Sequence, residues 1–339
     1  MAGHQPYNPA PWRRADAGAD RLVLGAWIVV VLLALWLLPR SAPEDSKLSE
    51  TVPARAELPR PPVAVNAPDF YPWVRPVEPS KVAGIPERWS PPRKPQTGGF
   101  FTRLENPLRD GVFTASNHGN AESFYGGDWR PENIEARNGG AFLEVKRESH
   151  GGLPFTAGEM QSNEAYHYGR YEVIMQPAKG SGIVTAFFTY TGPWFGDPHD
   201  EIDIEFVGTD TTQIHFNYFR NGKSIKPATF DLPFDAAARP HLYAFEWRPD
   251  GITWFVDGVP YYATEPGDTA IPKAAGKVMF SAWTGKPGMQ AWHGKPTFRD
   301  GAGAQFNCVS FTPLGHDTPG CAASYDPASG SGVRSRLVR

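Results

Sequence analysis

The chain has 339 residues, with 35 glycines, 35 prolines, 13% aromatic residues and a formal net charge of −3. That length suits one large domain or two ordinary ones, and the Gly, Pro and aromatic content favours turns and strands over long helices. The balanced charge leaves no basic footprint and argues against nucleic acid as a partner, and Cys308 and Cys321 have no second Cys or His pair at ligand spacing, which argues against a zinc signature.

In chain order, residues 1–21 read as a cytoplasmic tail carrying Arg13, Arg14 and Arg21. Leu22–Leu38, LVLGAWIVVVLLALWLL, is uncharged throughout and at the short end for a membrane-spanning helix. The basic residues ahead of it, against Arg40 and Lys47 behind, place the N-terminus in the cytoplasm. The competing reading is a cleaved signal peptide. The apolar run, however, meets Pro39-Arg40 with no small-x-small site, and the nearest one, Ala54-Arg55-Ala56, is far downstream. The sequence therefore predicts an uncleaved single-pass anchor with the rest of the chain outside the cytoplasmic membrane, on the periplasmic or extracellular side. In that oxidising setting Cys308 and Cys321 are expected to pair.

Prolines recur throughout 39–98, from Pro43 to Pro95, so no helical or strand period survives there. This segment reads as a semi-extended stalk. Over 99–315 the texture changes to short apolar-alternating runs: 141–148, 168–178, 181–192, 200–208, 212–219, 241–249, 251–264 and 277–283. Asp257-Gly258 inside one of them is a hairpin signal. Many short strands at close spacing predict one all-β sandwich. The tail, 316–339, is Gly/Ser/Pro-rich and is expected to be loosely ordered beyond Cys321.

The run PHDEIDIEFVG, 198–208, alternates Glu201, Asp203 and Glu205 with Ile202, Ile204 and Phe206. On a strand, three carboxylates then share one face and the apolar set packs inward. Such a face is usually just solvated. Here, however, like charges stack without counter-charges, since Lys179 is the only Lys or Arg between Arg170 and Arg220. The run 212–219 sets His215, Asn217 and Phe219 on one face, a set suited to a hydroxylated ligand.

Two carboxyl groups are what glycosidic hydrolysis needs, about 5–5.5 Å apart for retention and about 6.5–9.5 Å for inversion. The Cα atoms of Glu201 and Glu205 would be about 13 Å apart on a flat strand, a gap that long side chains on a curved sheet narrow. Asp203 between them would set the two glutamates apart in protonation. Strand spacing alone leaves retention and inversion both open.

The segments YGRYEVIMQPAKGSGIVTAFFTYTGP, DEIDIEFVG, HFNYFRNG, HLYAFEWRPDGITWFVDG and KVMFSAWTG resemble, in this order, the bacterial lichenases. These are the endo-β-1,3-1,4-glucanases of glycoside hydrolase family 16, with the related exopolysaccharide depolymerases. The resemblance implies a jelly-roll sandwich of the concanavalin type, an open cleft and a retaining mechanism. It makes Glu201 the nucleophile, Glu205 the acid/base and Asp203 the assisting residue. It also points to Glu159, Asn217, Trp283 and Trp292 as substrate-binding residues; the residue reading adds His215, and the match to another branch of the family adds His199.

The chain departs from the lichenase pattern at several positions. His199 stands where those enzymes have Trp, as in the HDEID of plant xyloglucan endotransglycosylases. Gln161 replaces a cleft arginine, Phe219 a cleft tyrosine and Ala157 a disulfide cysteine. Asn307 replaces an aspartate of the family's structural calcium site, keeping a carbonyl oxygen and losing the charge.

Together these readings predict a membrane-anchored retaining endo-β-glycanase. It would need no cofactor, and structural calcium is the one metal the resemblance raises. Its substrate would be a β-1,3/1,4-type β-glucan or a bacterial exopolysaccharide, and exopolysaccharide synthesis or export machinery is a candidate partner. The alternatives are a transglycosylase of the same family, suggested by His199, and an anchored lectin-like module, against which the acidic trio argues.

Overall fold

The computed structural model describes residues 95–119 and 123–334, together with the backbone of Val65–Asn66. All of these fall in one unit, Pro59–Arg339. The anchor and most of the stalk read from the sequence lie outside the described residues. No helix among the described residues is long and apolar enough to cross a membrane.

The strands are β1 (Val65–Asn66), β2 (Phe100–Thr102), β3 (Phe113–Ala115), β4 (Gly127–Trp129), β5 (Ile134–Arg137), β6 (Gly140–Glu144), β7 (Phe155–Tyr166), β8 (Gly169–Gln176), β9 (Val184–Thr191), β10 (Asp200–Val207), β11 (Gln213–Arg220), β12 (Lys223–Ser224), β13 (Ala228–Asp231), β14 (His241–Arg248), β15 (Gly251–Val256), β16 (Val259–Ala263), β17 (Gly276–Trp283) and β18 (Gly303–Pro313). They form two sheets. The first runs β1-β13-β11-β10-β9-β17-β7-β3, with β12 beside β11 and β4 beside β7. The second runs β16-β15-β14-β8-β18-β6-β5, with β2 beside β18. Pairing along both main paths is antiparallel, whereas the β4–β7 pair is parallel. This is the all-β, jelly-roll-like sandwich expected from the run of short alternating segments.

Every alternating run read from the sequence falls on a strand. Ile202, Ile204 and Phe206 of β10 are fully buried and join Phe187, Phe216, Tyr218, Phe245, Trp254 and Phe280 in the inter-sheet core. Each such side chain contributes roughly 1.5–3 kcal/mol of burial free energy. Trp254 reaches across from β15, and its Nε1 donates to the carbonyl of Asp203 at 3.0 Å, tying the second sheet to the middle of the acidic strand. The Asp257-Gly258 hairpin turn forms with φ of 48° and 81° at its two residues, the left-handed geometry that this dipeptide favours.

The long strand β18 shows no alternation in the sequence because both of its faces are covered. On β18 one face meets the inter-sheet core through Phe306, Val309 and Phe311. The other lies under the C-terminal segment, where Cys308 packs with Cys321, Val333, Ile174 and Leu242. A strand buried on both sides shows no alternation.

The same packing corrects the expectation of a loose tail. Beyond Cys321, the Cys321–Ser324 helix docks on the second sheet, Tyr325 pairs with Val333, and Val333 is buried. The reason is apolar: the exposed flank of β8 and β18 has to be covered. Cys308 and Cys321 form the expected disulfide, with Cα atoms 5.8 Å apart. Closing a loop of this length is worth about 3 kcal/mol in the chain-entropy picture. Cys308→Ala or reduction is therefore expected to lower the melting temperature by several degrees and leave kcat unchanged, as calorimetry and activity assays on one sample would show.

Candidate active site

The site is built on β10, and its sheet neighbours decide what surrounds it. Asp200, at the start of the strand, is buried and accepts from Arg220 Nη1 and from the backbone N–H groups of Asn221, Lys273 and Ala274. That clamp fixes where the strand begins, so Glu201, Asp203 and Glu205 all point to the outer face of the first sheet. Register then defines three transverse rows. Glu201 lies between Tyr190 and Phe219, Asp203 between Phe188 and Asn217, and Glu205 between Ala186 and His215. Beyond β9 the rows continue on β17 with Lys277, Met279 and Ser281, and on β7 with Gln161 and Glu159.

Glu201 is gripped from two sides. His199 Nε2 meets its Oε2, while the ring of His199 stacks on Phe219 at 5.0 Å and meets the edge of Tyr190 at 5.2 Å. Burial lowers the His199 pKa, but the hydrogen bond and charge of Glu201, with Asp200, outweigh it and leave it raised. On the other side Asp203 shares a hydrogen bond with Glu201. Asp203 is buried, and its pKa is raised well above the ordinary carboxylate value, first by burial and then by the charges of Glu201 and Glu205. It is therefore the neutral, proton-bearing member of the trio.

Glu159 is raised to about 7, chiefly by burial and further by Glu201, against the lowering effects of Ser116 and Lys277. His215 is lowered to about 4 by burial, so its ring is neutral at ordinary pH, with Nδ1 set 2.9 Å from Thr229 Oγ1. Asn217 accepts from Ser224 Oγ at 3.2 Å. Both Asn217 Nδ2 and Asp203 Oδ2 are buried without a hydrogen-bond partner.

Proton linkage makes a prediction here. In the unfolded chain Asp203 ionises near the ordinary aspartate value of 3.8, whereas in the fold it ionises only at much higher pH. Between those values the unfolded state releases a proton that the folded state keeps, so stability falls as pH rises. Asp203→Asn removes that loss. It is expected to melt higher than the parent, with a gap wider at pH 8 than at pH 4, while kcat drops by up to about a hundredfold because Glu201 loses its positioning partner. Melting curves at the two pH values, beside kinetics, check both signs.

The tryptophans divide. Trp283 is only 5% exposed, because Tyr125, Phe124 and Trp292 cover it at 5.1, 5.8 and 6.0 Å. The tryptophan that the sequence assigns to sugar binding thus lies beneath these rings. Trp292 is half-buried beside it and 6.5 Å from His215, at the end of the acidic rows. Trp194 is 58% exposed, on the short Pro193–Phe195 turn just before β10.

Several neighbours were not legible as site residues. The pKa of the half-buried Tyr125 is raised well above its ordinary value, first by burial and then by the charges of Glu159, Glu201 and Glu205. Tyr190, Ser116 and Lys277 also join the acidic face. Lys277, on β17 and outside the stretch from Arg170 to Arg220, brings a positive charge to the acidic face.

Asn307 Nδ2 donates to the carbonyl of Asn138 at 2.8 Å. The Asn307 Oδ1 is buried without a hydrogen-bond partner, an oxygen of the kind calcium takes, although the neutral amide lacks the charge of an aspartate. Among the described residues no group of three or more His, Cys, Asp or Glu side chains is placed to hold a metal.

Three carboxylates on one face of a two-sheet β sandwich, beside neutral imidazole, amide and aromatic groups, supply what a glycoside hydrolase needs. The family model for glycosyl hydrolases family 16 matches residues 121–300. A β-glucanase of Bacillus amyloliquefaciens is 43% identical over 191 residues, 56% of this chain and 78% of that protein. Among solved structures, the Bacillus licheniformis β-glucanase is 38% identical with a TM-score of 0.59, covering 64% of this chain and 99% of that one. A prokaryotic β-1,3-1,4-glucanase (lichenase) from a mouse hindgut metagenome is 34% identical with a TM-score of 0.60, covering 64% of this chain and 100% of that one. The chain belongs to glycosyl hydrolases family 16.

Proposed function

We propose that this protein is a retaining endo-β-glycanase that cuts internal β-1,3/1,4-type linkages of a β-glucan or bacterial exopolysaccharide. The observation that carries the reading is the row Glu201, Asp203, Glu205 on β10, with a neutral carboxyl between two glutamates. Glu201, oriented by His199 and Asp203, attacks the anomeric carbon. Glu205 gives its proton to the departing glycosidic oxygen, and a glycosyl ester forms on Glu201. Glu205 then takes a proton from water, the water oxygen attacks the same carbon, and the Glu201 carboxylate is released. His215, Asn217, Glu159 and Trp292 bind the sugar chain. No metal enters these steps, and the chemistry needs no cofactor.

Around this domain we place the cytoplasmic tail 1–21, the anchor 22–38, the stalk 39–98, the catalytic sandwich 99–315 and the C-terminal tail 316–339. The sandwich would then work outside the cytoplasmic membrane, within reach of polysaccharide synthesis or export machinery.

Product sizes on mixed-linkage β-glucan, xyloglucan and a β-linked bacterial exopolysaccharide test the reading. Rapid loss of chain length with new reducing ends supports endo-hydrolysis, and the polymer cut best identifies the substrate class. His199 against Glu201 favours a second reading, transfer of the glycosyl group to an acceptor sugar, which would yield chains longer than the starting material. Binding without cleavage of any of the three would overturn both in favour of a lectin-like module.

A further inference from the structure

Glu159 is 4% exposed yet belongs to the acidic face, in the row that runs through Ser281 and Ala186 to Glu205. A buried carboxyl is costly unless it is hydrogen-bonded. Ser116 Oγ donates to Glu159 Oε1 at 2.6 Å. Gln161 Nε2 donates to Ser116 Oγ at 3.0 Å. Lys277 Nζ donates to Gln161 Oε1 at 2.9 Å.

The chemistry of the groups leaves this chain one direction. An ammonium group only donates, so the oxygen of Gln161 faces Lys277 and its NH₂ faces Ser116. Ser116, accepting from Gln161, spends its own hydrogen on Glu159. The backbone holds the same arrangement, because the N–H of Ser116 donates to the carbonyl of Glu159 at 2.9 Å. The chain starts at a cation on β17, crosses Gln161 on β7 and ends on Glu159 of the same strand by way of the residue after β3. Hydrogen bonds running head to tail polarise one another.

We propose that Ser116, Gln161 and Lys277 are positioning residues for substrate, which hold Glu159 Oε1 so that Oε2 meets a hydroxyl of the bound sugar. The proposal rests on the reading of Glu159 as a sugar-binding group. The three residues then govern how tightly the polysaccharide is held, and bond cleavage at Glu201 and Glu205 proceeds at the parent rate once it is bound.

The test is steady-state kinetics of the full chain on mixed-linkage β-glucan, across pH, for Ser116→Ala, Ser116→Thr, Gln161→Ala, Lys277→Met and Glu159→Gln. KM is expected to rise about threefold to tenfold in Ser116→Ala and Gln161→Ala, the worth of one lost hydrogen bond. kcat should stay within about twofold, and Ser116→Thr, which keeps the hydroxyl, should bind like the parent.

The groups acting on or beside Glu159 are Glu201, Lys277, Tyr125 and Tyr190, and of these Lys277 opposes its protonation. The parent's KM is therefore expected to change near pH 7. That break should move upward in Lys277→Met and vanish in Glu159→Gln, which a merely structural role for the relay would not produce. Unchanged KM in Ser116→Ala and Gln161→Ala beside a raised KM in Glu159→Gln would overturn the relay and leave Glu159 as a binding residue. Unchanged KM in Glu159→Gln would overturn the reading of Glu159 itself, and the relay with it.

Discussion

Glu201→Ala is expected to lower kcat by about four orders of magnitude or more, the scale of loss when a covalent nucleophile is removed. The variant should still fold, since Glu201 sits on the outer face of β10 while Ile202, Ile204 and Phe206 hold the core. Azide can replace the missing carboxylate. In the space left by Glu201 it would attack the anomeric carbon from the face the nucleophile used, giving an α-glycosyl azide from a β-linked substrate. Product stereochemistry then reports which carboxylate was lost. A β-glycosyl azide from Glu201→Ala would exchange the roles of Glu201 and Glu205, and full activity without azide would end the assignment. The assignment proposed here rests on the contacts of the Glu201 carboxylate with His199 and Asp203.

The second large effect belongs to Glu205. Glu205→Gln keeps the shape and removes the transferable proton, so hydrolysis of mixed-linkage β-glucan should fall by about 10²- to 10⁴-fold, the usual worth of general acid catalysis. A glycoside with a dinitrophenolate leaving group needs no such proton. On that substrate glycosylation of Glu201 should remain fast while water attack becomes slow, giving a burst of dinitrophenolate followed by a low steady rate. Equal loss on both substrates, with no burst, would mean that Glu205 acts otherwise than as acid/base. The neighbouring His215 does not replace it, because burial keeps its pKa at about 4 and its ring without a proton to give at neutral pH.

Trp283, a predicted sugar platform, shows where local reasoning stops. Its position on β17 could be read from alternation, and it does lie on the acidic side of the sheet. Its cover comes from Phe124 and Tyr125, in a loop about 160 positions earlier in the chain, and no pattern around Trp283 signals that. The C-terminal segment teaches the same lesson from the other side. A Gly/Ser/Pro-rich composition suggested loose chain, yet one disulfide and a few apolar side chains from it complete the packing of the second sheet.

The sequence by itself determined what alternation and local chemistry control. The apolar set of β10 faces inward and its three carboxylates outward, His215 and Asn217 share their face, Asp257-Gly258 turns a hairpin, and the two cysteines pair. Each of these depends on residues within a few positions of one another or on there being only two thiols to join. Tertiary structure alone decided what the carboxylates meet. Ser116, Tyr125, Glu159, Tyr190 and Lys277 come from separate strands and loops, and they converge because β9, β17 and β7 lie side by side in that order. Strand order and register depend on how two whole sheets bury their apolar faces against each other. The counter-charge for the acidic face and the relay that ends on Glu159 exist only once that packing is complete.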